Sequence, residues 1–227
     1  MCSRYTLISK PVLIARRFGL QEIDPFPARY SIAPTQPVGI IRIGYNKQRE
    51  FVLVRWGLIP DWVKDPGDFT TLVNARSETL AEKPSFRNAL KYRRCLFPID
   101  GFYEWSGGKG ERQPYYISAS NEEPMGVAGL WENWMGVDGS EMESAVIITT
   151  NANGDISRVH KRAPVVITPD NYDRWLDCLD GTGADTADLL KPAAPGFFKL
   201  KKISTKVNNP AYSGEELLEP VGQQELF

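Results

Sequence analysis

Four residues in separate parts of the chain carry side chains suited to nucleophilic and acid–base chemistry: Cys2, Asn74, Glu104 and His160. Cys2 directly follows Met1, and its side chain is small enough for removal of the start methionine. The mature chain would then begin with an α-amine and a thiol on adjacent carbons, with ordinary pKa values of about 8 and about 8.5. Such a terminal 1,2-aminothiol can attack an acyl carbon through its thiol, with the amine as base. It can also condense with an aldehyde and close a thiazolidine ring.

Proton transfer is the role suggested by the single histidine and by a carboxylate between aromatic residues. His160 lies in the basic, turn-flanked segment 158–162 rather than on an apolar face, and histidine is the commonest proton-transfer residue. Glu104 lies between Tyr103 and Trp105 at the end of an apolar run. Aromatic walls would desolvate this carboxylate and raise its pKa, which suits general acid–base work. The structural alternatives are a satisfied core histidine and an exposed carboxylate.

Hydrogen bonding and phosphate binding are suggested by an amide and by grouped cations. The amide of Asn74 could cap a turn, or could fix the terminal amine or a substrate oxygen. Trp62 and Trp105 could present stacking surfaces, and cations near them would form a local anion site. This combination is typical of single-stranded nucleic-acid binding, although charge runs are usually solvated faces. The grouped cations are Arg4, Arg76, Arg158, Lys161 and Arg162.

Composition bounds the class of protein. The 227 residues carry a net charge of −1, so no global field attracts the protein to nucleic acid or membrane. The three cysteines are Cys2, Cys95 and Cys178, an odd number without a CxxC pair. This pattern argues against disulfides and a zinc site and suits a reducing cytosol. We expect no metal, no cofactor, no signal peptide, no membrane partner and a cytoplasmic location.

Short strands and helices that alternate irregularly must position these side chains. We predict helices over 11–19, 86–92, 169–179 and 186–190, with Ser77 capping a further helix. We predict strands over 38–43, 51–56, 95–99, 114–119, 124–131, 144–150, 165–168 and 197–204, with a hairpin turn at 44–47. This order favours an α+β fold: a single domain with a curled, mostly antiparallel β-sheet (a pseudo-barrel) and short flanking helices. The domain is predicted over residues 2–210, and a polar tail over 211–227.

Six blocks of the sequence occur in an order that is specific as a set, although each block alone is modest. Together they resemble the SOS-response-associated peptidase (SRAP) family, the abasic-site processing proteins, and the resemblance runs from Cys2 to about Pro210. The blocks are Met1-Cys2-x-Arg4, Tyr30-x-Ile32-Ala33-Pro34-Thr35, Trp56-Gly57-Leu58-Ile59-Pro60-x-Trp62, Asn74-Ala75-Arg76-Ser77-Glu78-Thr79, Gly101-Phe102-Tyr103-Glu104-Trp105 and His160-x-Arg162-x-Pro164.

The resemblance implies a sensor of abasic sites in single-stranded DNA. After removal of Met1, Cys2 would form a covalent thiazolidine DNA–protein crosslink with the ring-opened deoxyribose. The family name also implies autopeptidase activity on Met1, hence thiol-dependent hydrolase and lyase-like chemistry within the SOS response. The expected protein is a monomer without cofactor or metal, cytoplasmic, and nucleoid-associated when bound to damaged DNA.

The resemblance also assigns roles to individual residues. Cys2 is the nucleophile, Asn74 positions the sugar and the amine, and Glu104 and His160 handle protons. Ser3 departs from the family, which usually has Gly there, and Lys161 replaces a residue that is often acidic. The DNA-binding residues implied are Arg4, Arg76 and Arg162 for phosphates, Pro34, Trp62 and Trp105 for wedging or stacking, and Thr149 for a backbone contact.

Two other classes remain open from the sequence. A cysteine N-terminal nucleophile hydrolase, such as a glutamine amidotransferase domain, would also use a thiol with an α-amine as base. The clustered arginines and tryptophans have no obvious use in binding a small amide. A non-catalytic single-stranded DNA-binding module would leave Cys2 incidental.

Overall fold

The computed structural model describes residues 2–108, 112–178, 184–209 and 211–221. Within these ranges the chain forms strands in two sheets and three short α-helices. The strands are β1 (Tyr5–Leu7), β2 (Arg29–Ile32), β3 (Pro37–Ile43), β4 (Arg49–Trp56), β5 (Asn74–Arg76), β6 (Arg94–Ile99), β7 (Gly101–Ser106), β8 (Gln113–Ala119), β9 (Met125–Met135), β10 (Glu141–Asn151), β11 (Arg162–Pro164), β12 (Val166–Ile167) and β13 (Phe198–Lys202). The helices are α1 (Pro11–Phe18), α2 (Pro84–Tyr92) and α3 (Tyr172–Leu176).

The larger sheet closes on itself into a five-strand barrel. Its strands follow the order β10-β4-β3-β6-β9, and β9 pairs again with β10. The β9–β10 seam is antiparallel and extends from Met135 opposite Glu141 to Gly129 opposite Ile147. The β4–β10 contact is parallel, whereas the other barrel pairs are antiparallel. Closure leaves these five strands without a free edge around a continuous apolar interior, and β5, β11 and β12 extend the same sheet.

The smaller sheet has the order β13-β8-β7-β1-β2, so the first strand of the chain lies inside it. Tyr5 on β1 faces Phe102 on β7 and Ile32 on β2. The Tyr5 ring also meets the buried Trp56 ring edge-on, with centroids 5.1 Å apart. The beginning of the chain is therefore held by two neighbouring strands and by the barrel core.

Local signals explain the best-predicted elements. In the β3–β4 hairpin, the N–H of Gly44 donates to the main-chain carbonyl of Gln48 at 2.8 Å, and Lys47 adopts a φ of 61°. Helix α1 has Pro11 in its first turn and ends at Gly19, whose φ of 66° is the left-handed conformation that glycine favours.

Three helix predictions needed correction. The segment 186–190 does not form an α-helix, because a 3-10 helix spans Ala184–Leu189. Ser77 does not cap an α-helix: Ser77–Thr79 form a 3-10 turn preceded by Arg76, without a side-chain cap hydrogen bond. The helix after it begins at Pro84. In the segment 169–179, Pro169–Asn171 form a 3-10 turn before α3, and residue 179 lies outside the described residues.

The α+β prediction, one domain with a mostly antiparallel sheet curled into a barrel, is confirmed. The boundary near residue 210 stays a prediction, since residues 210 and 222–227 lie outside the described ranges. In those ranges there is no helix long and apolar enough to cross a membrane. The same residues contain no group of three or more histidine, cysteine or acidic side chains that could hold a metal ion.

Candidate active site

Strand register brings the beginning of the chain beside Glu104. Tyr5 pairs with Phe102, and the carbonyl of Arg4 accepts from the N–H of Tyr103 at 3.0 Å. Since β1 and β7 are antiparallel, the residues before Arg4 continue toward Glu104. Cys2 is 2% exposed and belongs to the main hydrophobic cluster, so it is not part of a frayed terminus.

Asn74 holds the main chain at Cys2. Its strand, β5, pairs in parallel with β10, with Asn74 opposite Ile147. The Asn74 Nδ2 donates to the Cys2 carbonyl at 3.0 Å. The Oδ1 of the same amide is buried and accepts no hydrogen bond from the described residues. An acceptor oxygen is thus available to a donor at this position, such as an amine or a sugar hydroxyl.

A carboxylate and an imidazole lie close together near Cys2. Glu104 Oε1 lies 3.8 Å from Nδ1 of His160, and the Glu104 side chain is 5% exposed. Burial raises the pKa of Glu104, and the positive charges of the amino terminus and of His160 oppose the rise. The desolvation was expected from flanking aromatics, but Tyr103 and Trp105 pack in a separate cluster. Since side chains alternate along a strand, Glu104 points to the opposite face, toward the main core.

The main chain of Arg162 presents two partners to the imidazole. Both its N–H and its carbonyl oxygen lie 3.0 Å from Nδ1 of His160. The N–H can donate to a neutral Nδ1, and the carbonyl can accept from a protonated Nδ1. The main chain of Arg162 can therefore serve Nδ1 of His160 as a donor or as an acceptor.

The thiol of Cys2 is held in its neutral form. Burial raises the pKa of this thiol, and the negative charge of Glu104 raises it further. A main-chain hydrogen bond involving Arg4 opposes this change without cancelling it. A buried thiol that stays protonated next to a carboxylate is a weak nucleophile on its own.

The side chain of Arg162 binds within the protein. It donates from Nη1 to Glu78 Oε1 at 2.5 Å and from Nη2 to Glu78 Oε2 at 2.9 Å. It also donates to the carbonyl of Thr149 at 2.6 Å and to Asn151 Oδ1 at 3.1 Å. Thr149 is buried, and its hydroxyl donates to Ala75 on β5 at 3.3 Å.

Two more of the predicted residues are packed against the C-terminal part of the chain. Arg4 donates to the carbonyl of Val207, and its guanidinium lies 5.7 Å from the Trp105 ring centroid. The Trp105 indole donates to Asn208 Oδ1 at 2.8 Å. These contacts fix both side chains beside β1 and β7.

The remaining predicted residues lie at the surface. Arg76 is exposed at the end of β5, and Arg158 and Lys161 are exposed near His160. Trp62 is 55% exposed and contacts Phe69 edge-on, with centroids 5.7 Å apart.

Pro34 is half-buried and lies in a tight turn. There the N–H of Gln36 donates to the Ala33 carbonyl at 3.4 Å, and Thr35 has a φ of 72°. A positive φ is uncommon for a β-branched residue and marks a strained turn.

The structure thus gathers Cys2, Asn74, Glu104 and His160, with Thr149 and Arg162 alongside. The sequence offered no reason to assign a role to Glu78. Its carboxylate binds the guanidinium of Arg162, 84 positions further along the chain. Its only signal was its presence in the Asn74–Thr79 block.

Comparison with known proteins gives a consistent family assignment. The sequence model of the family described as SOS response associated peptidase (SRAP) matches residues 1–210. "Abasic site processing protein YoqW" of Bacillus subtilis is 35% identical over 224 residues, covering 96% of this chain and 99% of that protein. "Abasic site processing protein HMCES" of Gallus gallus is 31% identical, covering 94% of this chain and 64% of that protein.

Solved structures show the same fold. A crystal structure of a protein from Bacteroides thetaiotaomicron superposes with a TM-score of 0.84 at 26% identity, covering 97% of this chain and all of that one. A protein from Bordetella bronchiseptica gives a TM-score of 0.76 at 27% identity, covering 89% of this chain and all of that one. With the sequence matches across nearly its whole length, the chain belongs to the SRAP family.

Proposed function

We propose that this protein captures abasic sites in single-stranded DNA through a thiazolidine crosslink to Cys2, formed after Met1 is removed. The observation that carries the proposal is the position of Cys2. Its carbonyl accepts a hydrogen bond from Asn74 at 3.0 Å, and the negative charge of Glu104 raises the pKa of its thiol. The names of the relatives, abasic site processing proteins, support the same substrate.

The reaction balances without a cofactor. The ring-opened sugar of an abasic site carries an aldehyde at C1′. The Cys2 amine adds to this carbon to give a carbinolamine, which loses the former aldehyde oxygen as water to give an imine. The sulfur then adds to the imine carbon, and the thiol proton is transferred to the nitrogen. One C–N and one C–S bond form, one water leaves, and no atom changes oxidation state across the sequence.

The two proton-transfer groups match two of these steps. Opening the cyclic sugar and dehydrating the carbinolamine each need a proton donor and a proton acceptor. Glu104 acts near the amine, where its raised pKa keeps a protonated fraction at higher pH than an ordinary carboxyl. His160 acts near the sugar hydroxyl. The buried Oδ1 of Asn74 accepts a hydrogen bond from the amine or the sugar.

The state of the thiol favours this route over a mechanism that begins with attack by a thiolate. A glutaminase-like mechanism begins with thiolate attack on an amide carbon. Burial and Glu104 raise the pKa of Cys2, so little thiolate exists near neutral pH. In the proposed route the amine attacks first, and the sulfur needs to react only with an activated imine.

DNA binding is assigned to two exposed side chains and to a tight turn. Arg76 contacts a phosphate, Trp62 stacks on a base, and the Pro34 turn wedges between neighbouring bases. Arg4 and Trp105 form a fixed wall beside the nucleophile, since both are held against Val207 and Asn208.

Removal of Met1 is assigned to the same residues. Hydrolysis of the Met1–Cys2 bond consumes one water and releases methionine, which exposes the amine needed for capture.

The protein acts as a monomer in the cytoplasm, associates with the nucleoid when bound to damaged DNA, and serves the SOS response.

Intact mass spectrometry after incubation with an oligonucleotide containing one abasic site tests the proposal. The expected species is the chain without Met1, plus the oligonucleotide, minus one water. An unmodified chain that has lost Met1 would show that the proposal is wrong. A parallel glutaminase assay is expected to show no turnover.

Two cysteine variants separate the steps. Cys2→Ala, produced with its new N-terminus free, keeps the amine and loses the sulfur, so it should form only an imine that borohydride traps. Cys178→Ala, a matched cysteine control away from the site, should crosslink like the wild type.

A further inference from the structure

A loop between β4 and β5 carries Trp62, and we call residues 57–73 the Trp62 loop. Trp62 is 55% exposed, whereas Ile59 and Val63, which lie close to it in the chain, are buried. Both pack with Trp134 in a small hydrophobic cluster separate from the main core. The loop is therefore anchored through the residues around Trp62, while the indole itself remains at the surface.

Two buried side chains of the β9–β10 hairpin hold the main chain of the Trp62 loop. Trp134 on β9 donates from Nε1 to the carbonyl of Val63 at 2.6 Å. Ser144 on β10 accepts at 3.0 Å from the N–H of Ile59. Removing either partner would leave a main-chain group in a buried position without this hydrogen bond, which is costly. These bonds therefore fix the main chain on both sides of Trp62.

The Trp62 loop is also closed on itself. Leu58 and Leu72, near its two ends, exchange main-chain hydrogen bonds of 3.0 and 3.4 Å. The turn Pro60–Val63, which contains Trp62, has a main-chain hydrogen bond of 3.1 Å from its last residue to its first. Phe69, on the same loop, contacts the Trp62 ring edge-on. The loop is thus a compact unit, and the bonds from the β9–β10 hairpin set where this unit lies on the barrel.

We infer that Trp134 is a positioning residue for Trp62: its indole N–H holds the Val63 carbonyl and so keeps the neighbouring Trp62 ready to stack on a base. An aromatic side chain that is ordered before binding loses less conformational entropy when DNA binds. Trp134 is buried, so it acts through the loop and not on the DNA. The inference rests on the proposed stacking of Trp62 for its effect on DNA affinity, but not for the order of the Trp62 side chain.

Indole nitrogen NMR without DNA tests the order of Trp62. The chain has six tryptophans, so 15N-labelled tryptophan gives six indole N–H signals, and Trp62→Ala identifies the signal of Trp62 by its loss. In the wild type, 15N relaxation should show that motion of this indole is restricted on the ps–ns timescale. Trp134→Phe, which keeps a buried ring but loses the donor, should increase the motion. Ser144→Ala, which loses the acceptor for Ile59, should increase it too.

DNA affinity gives the second readout. In a Cys2→Ala background, Trp134→Phe should weaken binding of single-stranded DNA about 2- to 10-fold, the range expected when one more side chain must be ordered on binding. The same substitution should cause no further loss in a chain that already carries Trp62→Ala. In the chain that retains Cys2, the crosslinking rate at saturating abasic DNA should be unchanged, because the loop affects binding and not the chemical steps.

Trp175→Phe is the matched control. Trp175 on α3 also donates from a buried indole to a main-chain carbonyl, that of Cys95 at 2.8 Å, but it lies outside the cluster that holds the Trp62 loop. This variant should lower the melting temperature as Trp134→Phe does. It should leave both the Trp62 signal and the DNA affinity unchanged.

An unchanged Trp62 signal in folded Trp134→Phe would overturn the inference, as would a loss of affinity that is equally large with and without Trp62→Ala. The NMR measurement needs no DNA, so its failure is distinct from failure of DNA binding or capture. If the Trp62 indole becomes mobile in Trp134→Phe but Trp62→Ala binds DNA like the wild type, Trp134 keeps its positioning role and the proposed stacking is wrong.

Discussion

Asn74 and Cys2, separated by 72 positions, are joined by a hydrogen bond of 3.0 Å from the side-chain amide to the main-chain carbonyl. The bond holds the start of the chain beside the first residue of β5, while β1 pairs with β7 three residues further on. The main chain at Cys2 is thereby restrained by a side chain of one strand and by the pairing of the strand that follows it. Restraint of this kind lowers the entropic cost of reaching a reactive geometry.

Asn74→Ala is expected to slow crosslink formation by about 5- to 150-fold, because losing a hydrogen bond to a largely buried group costs about 1–3 kcal/mol. Single-turnover gel assays with abasic oligonucleotide measure the rate, and a thermal melt reports folding. Asn121→Ala is the control, since its amide bonds to Glu123 in an exposed turn. Equal rates in Asn74→Ala and wild type would remove Asn74 from the mechanism.

Glu104→Gln is expected to be more stable than the wild type at neutral pH. Burial raises the pKa of Glu104 in the folded state, so the folded chain holds this proton more tightly than the unfolded chain. The contribution of Glu104 to the free energy of unfolding is therefore fully present below its pKa in the unfolded chain, about 4.3. It is lost as pH rises through its pKa in the folded protein. Urea unfolding at several pH values should show an advantage of Glu104→Gln that grows upward from that point. A stability difference between Glu104→Gln and wild type that does not change with pH would show that the pKa of Glu104 is not raised. The variant should also lose crosslinking.

Arg76→Ala is expected to weaken DNA binding uniformly across sequences and to reduce its salt dependence. Each phosphate contact to a single strand contributes about 0.7 to the slope of log K against log salt. Fluorescence anisotropy in a Cys2→Ala background, which prevents thiazolidine formation, measures this slope. Arg87→Ala, an exposed arginine on α2, should keep the wild-type slope. An unchanged slope in Arg76→Ala would place the DNA elsewhere.

Trp62→Ala is expected to lower affinity for single-stranded DNA by about 5- to 150-fold, since stacking of one base is worth about 1–3 kcal/mol. Its side chain is 55% exposed, so folding should be little affected. Tyr45→Ala, fully exposed at the tip of the β3–β4 hairpin, is the matched aromatic control. Equal losses from the two variants would argue against a specific stacking site.

Local chemistry explains what could be predicted from the sequence. The β3–β4 hairpin and helix α1 carry their own turn and cap residues, so both were predictable within a few positions. The three-residue strands β1 and β5 were missed, although they carry Cys2 and Asn74 into the site. Strands this short have no periodicity to detect, and their pairing depends on partners far along the chain.

The candidate site was predictable by residue type but not by contact. A buried carboxylate at Glu104 was expected, yet the burial comes from the main core rather than from Tyr103 and Trp105. The resemblance to the SRAP family and the basic neighbours of Arg162 led us to expect that it binds a phosphate, and this stays a prediction. Glu78 neutralises it from 84 positions away, a pairing that only the fold creates.

Strand β10 pairs with four neighbours, β4, β5, β9 and β11, and so belongs to both the barrel seam and the candidate active site. Partial opening that separates β5 or β11 from β10 would also disturb the seam. Amide hydrogens of Ala75 and Thr149 should therefore exchange with solvent only when the whole molecule unfolds, unlike those of the surface turns. The candidate active site would then keep its shape until the protein melts. Crosslinking to abasic DNA and the folded structure should therefore be lost at the same temperature.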